Sequence, residues 1–264
     1  MVFFDNCLVV IDGSGVLADS ASLTMQNSAQ ALYALGYKVP TEVTIGDAVR
    51  GTLSVSYFVE ADNEPVFALV NVLKTGHNNF NWTPTQFAVA GVTGSGYLES
   101  YSIKTTPNQP TKASASFAIY HPLTGAPSDS KISRDVYFTG ICHAWQTSLI
   151  FPVLGQSFDV YDFDYSFRAV WEPIYAIGNK APLQVQFSNA EENITILGEQ
   201  FYHVNISGSA LSGAISYATG LSMNIHDSTR NLVFPFYGMT VKTSQVALGL
   251  DDFLKVSINA SKAY

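Results

Sequence analysis

The chain has 264 residues, enough to bury a core without help from metal or disulfides. Hydrophobic residues make up 47% of it and charged residues only 13%, which excludes a disordered chain. Thirteen Lys and Arg, scattered along the chain, against 21 Asp and Glu give a net charge of −8, so the cationic stripe of a nucleic-acid or acidic-lipid binder is missing.

In chain order, Met1-Val2-Phe3-Phe4-Asp5 lacks the basic start and apolar run of a signal peptide. Asp12-Gly13-Ser14-Gly15-Val16-Leu17 reads as a glycine turn opening a long strand. Leu53, Val55, Tyr57 and Val59 alternate with Thr52, Ser54 and Ser56, the period of a half-buried strand. Val66, Leu69, Val70 and Leu73 then fall at helical spacing. They predict a short helix over about 64–75, capped by Asp62 or Asn63, with Pro65 in its first turn and Gly76 closing it.

Thr93-Gly94-Ser95-Gly96-Tyr97-Leu98 repeats the turn-and-strand text, and Ala113, Ala115, Phe117 and Ile119 alternate with Ser114 and Ser116. Two stretches without charge, Val136 to Phe158 and Phe201 to His226, are long enough to cross a bilayer. Gln146, Ser148, Pro152 and Gly155 interrupt the first, and Asn205, Ser207, Ser209, Ser212 and Asn224 the second, so both read as part of a soluble chain. Leu254, Val256, Ile258 and Ala260 close the series with another alternating strand.

The chain also reads as duplicated. Tyr33-Ala34-Leu35-Gly36-Tyr37-Lys38-Val39-Pro40 aligns with Tyr175-Ala176-Ile177-Gly178-Asn179-Lys180-Ala181-Pro182, identical at five of eight positions. Val43 and Ile45 match Val185 and Phe187, and after one residue of slippage Leu53 and Val55 meet Ile194 and Ile196. Ser212-Gly213-Ala214-Ile215 is a weaker copy of the glycine turn. The second half has no counterpart of the helix and carries an extra stretch at about 149–162. The predicted fold is therefore mostly β: two tandem β-sandwich or barrel-like units from an internal duplication, over 1–130 and 131–264, with one short helix in the first half. The turn-rich Leu123-Thr124-Gly125-Ala126-Pro127-Ser128-Asp129-Ser130 segment marks the boundary.

No catalytic, cofactor-binding or metal-binding residues are assigned from the sequence, no cofactor is expected, and the chain is read as not an enzyme. His77, His121, His143, His203 and His226 stand apart, and Cys142 and His143 as strand neighbours would point to opposite faces. Cys7 and Cys142 are too few for a disulfide framework or a zinc site. They read as small buried hydrophobes, a single bridge between them being the alternative. Asp162 and Asp164 share a strand face, and Glu60, Asp62 and Glu64 do so if extended. Such carboxylates would hold a cation or act as acid and base, but a solvated acidic edge is the simpler reading. The glycosylation-like triplets starting at Asn81, Asn193, Asn205 and Asn259 are taken as accidental.

The text of several segments resembles virion proteins of tailed bacteriophages, above all their tail tube proteins. The resemblance is carried by Asn27-Ser28-Ala29-Gln30-Ala31-Leu32-Tyr33-Ala34-Leu35-Gly36, Tyr57-Phe58-Val59-Glu60-Ala61-Asp62-Asn63-Glu64-Pro65, Gly96-Tyr97-Leu98-Glu99-Ser100-Tyr101-Ser102-Ile103 and Pro107-Asn108-Gln109-Pro110. It covers about 15–120 well and the second half loosely. It implies β-sandwich subunits whose sheets join around a ring, with rings stacked into a tube through which DNA passes without specific binding. A duplicated chain would close a pseudo-hexameric ring with three copies. The expected partners are the chain itself and other tail proteins, with no membrane, and the expected location is the virion tail, after synthesis in the host cytoplasm. Asp162 and Asp164 would face the channel or its rim. The alternatives are another virion part (baseplate, tail-completion or decoration protein) and a carbohydrate-binding β-sandwich or adhesin using Trp82, Trp145 or Trp171 as sugar platforms.

Overall fold

The computed structural model describes residues 7–26, 29–32, 42–45, 49–60, 64–76, 82–127, 141–142, 147–151, 156–157, 159–200, 221–227, 230–236, 238–248 and 254–264. In chain order the first half gives β1 (Cys7–Ile11), β2 (Ser14–Gln26), β3 (Ala29–Leu32), β4 (Glu42–Ile45), β5 (Arg50–Phe58), α1 (Pro65–Thr75), β6 (Thr85–Val89), β7 (Val92–Thr105), β8 (Lys112–Ile119) and β9 (Thr124–Gly125). The second half gives β10 (Thr147–Phe151), β11 (Gln156–Ser157), β12 (Asp159–Ile174), β13 (Gln184–Gln200), β14 (Leu221–Asp227), β15 (Arg230–Phe236), β16 (Thr240–Leu248) and β17 (Leu254–Ala263). Among the described residues the protein is mostly β with one helix, and its first half forms a closed six-stranded barrel.

The barrel runs β7-β6-β1-β2-β5-β8 and closes because β8 also pairs with β7. All these pairings are antiparallel. Two of its hairpins are two-residue turns with both central residues at positive φ, Asp12 (50°) with Gly13 (79°) and Ala90 (48°) with Gly91 (83°). That geometry matches the right-handed twist of the strands it joins. The second turn is therefore at Gly91, not in Gly94-Ser95-Gly96. Those residues lie inside β7, and Gly94 is small because Phe87 and Leu123 occupy the space: a Cβ there would sit 2.7 Å from Phe87 Cζ and 2.5 Å from Leu123 Cδ2.

β7 is the branch point of the structure. One of its edges takes β8 along Tyr97–Lys104 and β9 at Val92–Thr93. The other takes β6 along Val92–Gly96 and then β12 along Ser100–Thr105. From β12 the sheet continues through β13 and β17 to β16. A register shift between Leu98 and Ser100 bends β7 where the two partners change over. The carbonyl of Leu98 lies in that gap, and it accepts a 2.7 Å hydrogen bond from the Trp171 indole Nε1. A side chain from β12 thus satisfies a backbone group at the junction of barrel and extension.

Alternation is found in two of the three predicted strands: Leu53, Val55, Tyr57 and Val59 are buried, as are Ala113, Ala115, Phe117 and Ile119, while the side chains of Leu254, Val256 and Ile258 lie outside those described. The registers place Tyr57 across from Ala113 and Tyr101 across from Ala115, so alanines leave room for the two tyrosine rings. The same face passes through Phe163, Tyr165 and Phe167 of β12 to Glu192, Ile194 and Ile196 of β13. α1 covers this face with Val66, Phe67, Val70 and Leu73. Phe67 takes a core place in addition to the predicted stripe, while Leu69 is only partly buried. A separate sheet, β11-β10-β14-β15, supplies Phe234 and Phe236, and Phe67 meets Phe234 edge-on at 4.5 Å.

Among the described residues the two halves are built differently: the closed barrel comes wholly from the first, and the second extends it through β12. Tyr33–Pro40, one copy of the repeated motif, lies outside the described residues, as do Asp62, Asn63 and the copy at Ser212–Ile215. The other copy falls between the end of β12 and the start of β13.

Candidate functional site

α1 forms because Pro65 starts it at the first turn, its apolar residues line one side, and the Gly76 N–H ends it on the Val72 carbonyl at 2.9 Å. Glu64 occupies the N-cap position, and the Phe67 N–H lies near its carboxyl without making a capping hydrogen bond of good geometry. The helix rises roughly 1.5 Å per residue, about 15 Å from Glu64 to Lys74. Strands lie about 4.8 Å apart, so with its terminal side chains the helix reaches from β5 across β8, β7 and β12 to β13. It acts as a cross-brace, and a buried polar group anchors each end.

At the first end the Tyr57 hydroxyl donates to Glu64 Oε1 at 2.5 Å. Tyr101 faces the same carboxyl, but neither its hydroxyl nor Glu64 Oε2 makes a hydrogen bond of acceptable geometry. Burial pushes the Glu64 carboxyl up to about 7, and Tyr57, Tyr101 and the Phe67 N–H bring it only partly back. Burial, followed by the nearby carboxyl, raises both tyrosines well above the usual phenol range.

At the second end Lys74 forms an ion pair with Glu192, whose side chain is 0% exposed. Glu192 also accepts from the Tyr165 hydroxyl at 3.0 Å and the Tyr264 hydroxyl at 2.6 Å. The Lys74 ammonium lies 5.3 Å from the Tyr165 ring centroid, 5.5 Å from Phe67 and 5.6 Å from Phe236, within cation–π range of all three. Burial lowers the Lys74 amine, and Glu192 draws it back up. Both oxygens of the Glu192 carboxylate have partners, the condition for a buried ion pair to hold. At both ends these contacts tie the helix to the sheet.

The residues singled out in the sequence are dispersed. His77, His143, His203 and Trp145 lie outside the described residues, and His226 is in β14. Cys142 is a buried thiol whose backbone bridges Val59 and Thr111. Asp162 and Asp164 do share a face of β12, opposite Phe163 and Tyr165. Asp164 is raised by partial burial, with Lys104 across the ladder pulling it down and Asp162 pushing it up. Asp162 Oδ1 is enclosed without a hydrogen-bond partner. Among the described residues no three His, Cys, Asp or Glu come together as metal ligands. No described helix is long and apolar enough to cross a membrane.

Trp171 is buried at 8% exposure and packs edge-on against Phe187 at 5.3 Å and Trp82 at 6.1 Å. Neither face of a sugar platform is offered by Trp171. Trp82, Tyr97, His121, Pro182, Leu183, Gln184 and Val185 line a small open depression beside this cluster. Sequence reading missed Lys74 and Glu192, yet a signal was present. Glu192 is in phase with Ile194 and Ile196 on the strand, and Lys74 with Phe67 and Val70 on the helix.

No protein-family model matches the chain, and no curated protein matches it in sequence. Among solved structures, the Dit protein of phage SPP1 is described as a paradigm of the hub adsorption apparatus in phages that infect Gram-positive bacteria. It is similar to this protein over 98% of this chain and 99% of its own, at 12% identity and a TM-score of 0.25. A score that low carries no argument about function.

Proposed function

We propose that this chain is a structural subunit of a bacteriophage tail, of the tail tube kind, which joins copies of itself into rings stacked around a DNA-conducting channel. The observation that carries the reading is an open sheet edge. The sheet closes on itself at β7–β8, but at its other end the outer edge of β16 pairs with no described strand. β12 likewise runs past its last partner on β7, leaving Ala169–Ile174 unpaired on that side among the described residues. A row of unpaired N–H and C=O groups is a template for another strand, and a subunit that works only when assembled has a use for it. Ile174, Ile177 and Leu183, exposed at the tip of the β12–β13 hairpin, add apolar surface for the same purpose.

The sequence resemblance to tail tube proteins and the low charge of the chain support the same reading. The barrel itself is no conduit. A six-stranded barrel is narrow, and this one is filled by Leu53, Val55, Ile103 and Phe117, so a channel for DNA would lie between subunits. Asp162 and Asp164, on the face of β12 turned away from this core, would then look toward the channel or its rim. An acidic wall repels DNA weakly instead of holding it by counterion release. Size-exclusion chromatography with light scattering, followed by negative-stain imaging of the purified full chain, tests the proposal. Rings or tubes are the expected result; a monomer that persists at high concentration and low salt overturns it.

A further inference from the structure

Glu64 sits where a charged carboxylate is hard to keep. Its residue is 8% exposed, Oε1 has one donor in Tyr57, and Oε2 has no hydrogen-bond partner among the described residues. Among the described residues, the groups facing it are the hydroxyls of Tyr57 on β5 and Tyr101 on β7, the N–H of Phe67 on α1, and the carboxyl of Glu60, which repels a second negative charge. Tyr165 on β12 packs against Tyr101 but donates its hydroxyl to Glu192. Phe234 and Phe236 of β15, which cover Phe67, carry no charge. The cation on α1, Lys74, is turned to Glu192 at the opposite end of the helix. An ionised Glu64 thus sits buried with no cation facing it among the described residues, with donors that offset its burial only in part, and with a like charge nearby. A protonated one carries no such cost.

We propose that the N-terminal end of α1 is a proton-operated joint: the protonated Glu64 carboxyl holds the helix against β5 and β7, and its ionisation loosens this end alone. The Lys74–Glu192 pair keeps the other end in place. The upward displacement of the Glu64 carboxyl by burial, to about 7 from 4.5, agrees in sign. Because the folded chain binds this proton more tightly than the unfolded chain, the hold is complete below about pH 4.5 and is lost as the pH rises through about 7. This is the reverse of a salt-bridged carboxylate, and the joint is independent of whether the chain builds a phage tail.

The test follows the full chain, labelled with carbon-13 at its glutamate carboxyls, by NMR from acid to mildly alkaline pH, with hydrogen exchange of the α1 amides in parallel. One glutamate resonance is expected to titrate near neutrality and to be absent from Glu64→Gln. Exchange in the first turn of α1 should rise across the same range by more than the intrinsic base-catalysed increase, while amides near Lys74 follow only the intrinsic trend. In urea unfolding, the folded-to-unfolded ratio of the wild type should fall roughly 300-fold more than that of Glu64→Gln between acid and mildly alkaline pH. If Glu64→Gln does not fold, Tyr57→Phe serves in its place. It removes a donor that favours the anion, so the near-neutral midpoint should move up. Wild-type glutamates that all titrate in the ordinary acidic range overturn the proposal. So does a midpoint that survives Glu64→Gln or ignores Tyr57→Phe, or first-turn exchange with no excess.

Discussion

Replacing Lys74 with Met isolates what the buried ion pair contributes to the brace. Methionine keeps an unbranched apolar stem against Phe67, Tyr165 and Phe236 and deletes the charge. Glu192, at 0% exposure, would keep its hydrogen bonds from Tyr165 at 3.0 Å and Tyr264 at 2.6 Å but lose its cation. Removing one partner of a buried pair costs about 3–5 kcal/mol, because the other charge stays behind unneutralised. Hydrogen bonds to a charged group are worth about 1.5–3 kcal/mol each, so the two that survive place the expected loss at the lower end, about 3 kcal/mol. For a chain of this size that is a fall of about 6–12 °C in Tm. Thermal and urea unfolding followed by tryptophan fluorescence would measure it. The double variant Lys74→Met with Glu192→Gln removes both charges and should recover at least half of the loss. If Lys74→Met costs less than about 1 kcal/mol, as an exposed pair would, then water reaches the site and the ion pair does not brace the helix.

Other outcomes follow from single contacts. Trp171→Phe keeps most of the aromatic packing but removes the 2.7 Å donor to the Leu98 carbonyl, and should cost about 1–3 kcal/mol in thermal unfolding. Gly94→Ala should cost about 1–3 kcal/mol by overpacking against Phe87 and Leu123 and be rescued by Phe87→Leu, whereas Gly13→Asn, at an open left-handed turn, should be close to neutral. Asp19→Asn should change stability by less than about 1 kcal/mol, because the 2.8 Å pair it makes with Lys112 has both side chains nearly half exposed, at 46% and 47%. For Glu64, the difference between about 7 folded and 4.5 unfolded corresponds to roughly 3 kcal/mol of stability present in acid and lost above neutrality, readable as a falling urea midpoint with rising pH.

Much of the first half was legible because its signals are local. The alternation at Leu53–Val59 and Ala113–Ile119 follows from successive side chains taking opposite faces, and the helix from its apolar spacing with Pro65 and Gly76 at the ends. The turn at Ala90–Gly91 was misplaced by a few residues, since a glycine chosen for space, Gly94, looks the same in sequence as one chosen for backbone freedom. The anchoring residues were harder. Glu192 stands in the polar run Asn189-Ala190-Glu191-Glu192-Asn193, and only its phase with Ile194 and Ile196 points inward.

Taken alone, the order of amino acids determined that this is a β-rich chain with one helix of known extent, and which face of each clear strand is apolar. Only the tertiary structure decided that β8 closes onto β7, that β7 changes partners from β6 to β12, and that Lys74 and Glu192 meet beneath the aromatic rings. Periodicity depends on neighbours along the chain, which a sequence displays directly. Closure and the neutralising of a buried charge depend on groups far apart in sequence, whose meeting is a property of the whole folded sheet and of no segment within it.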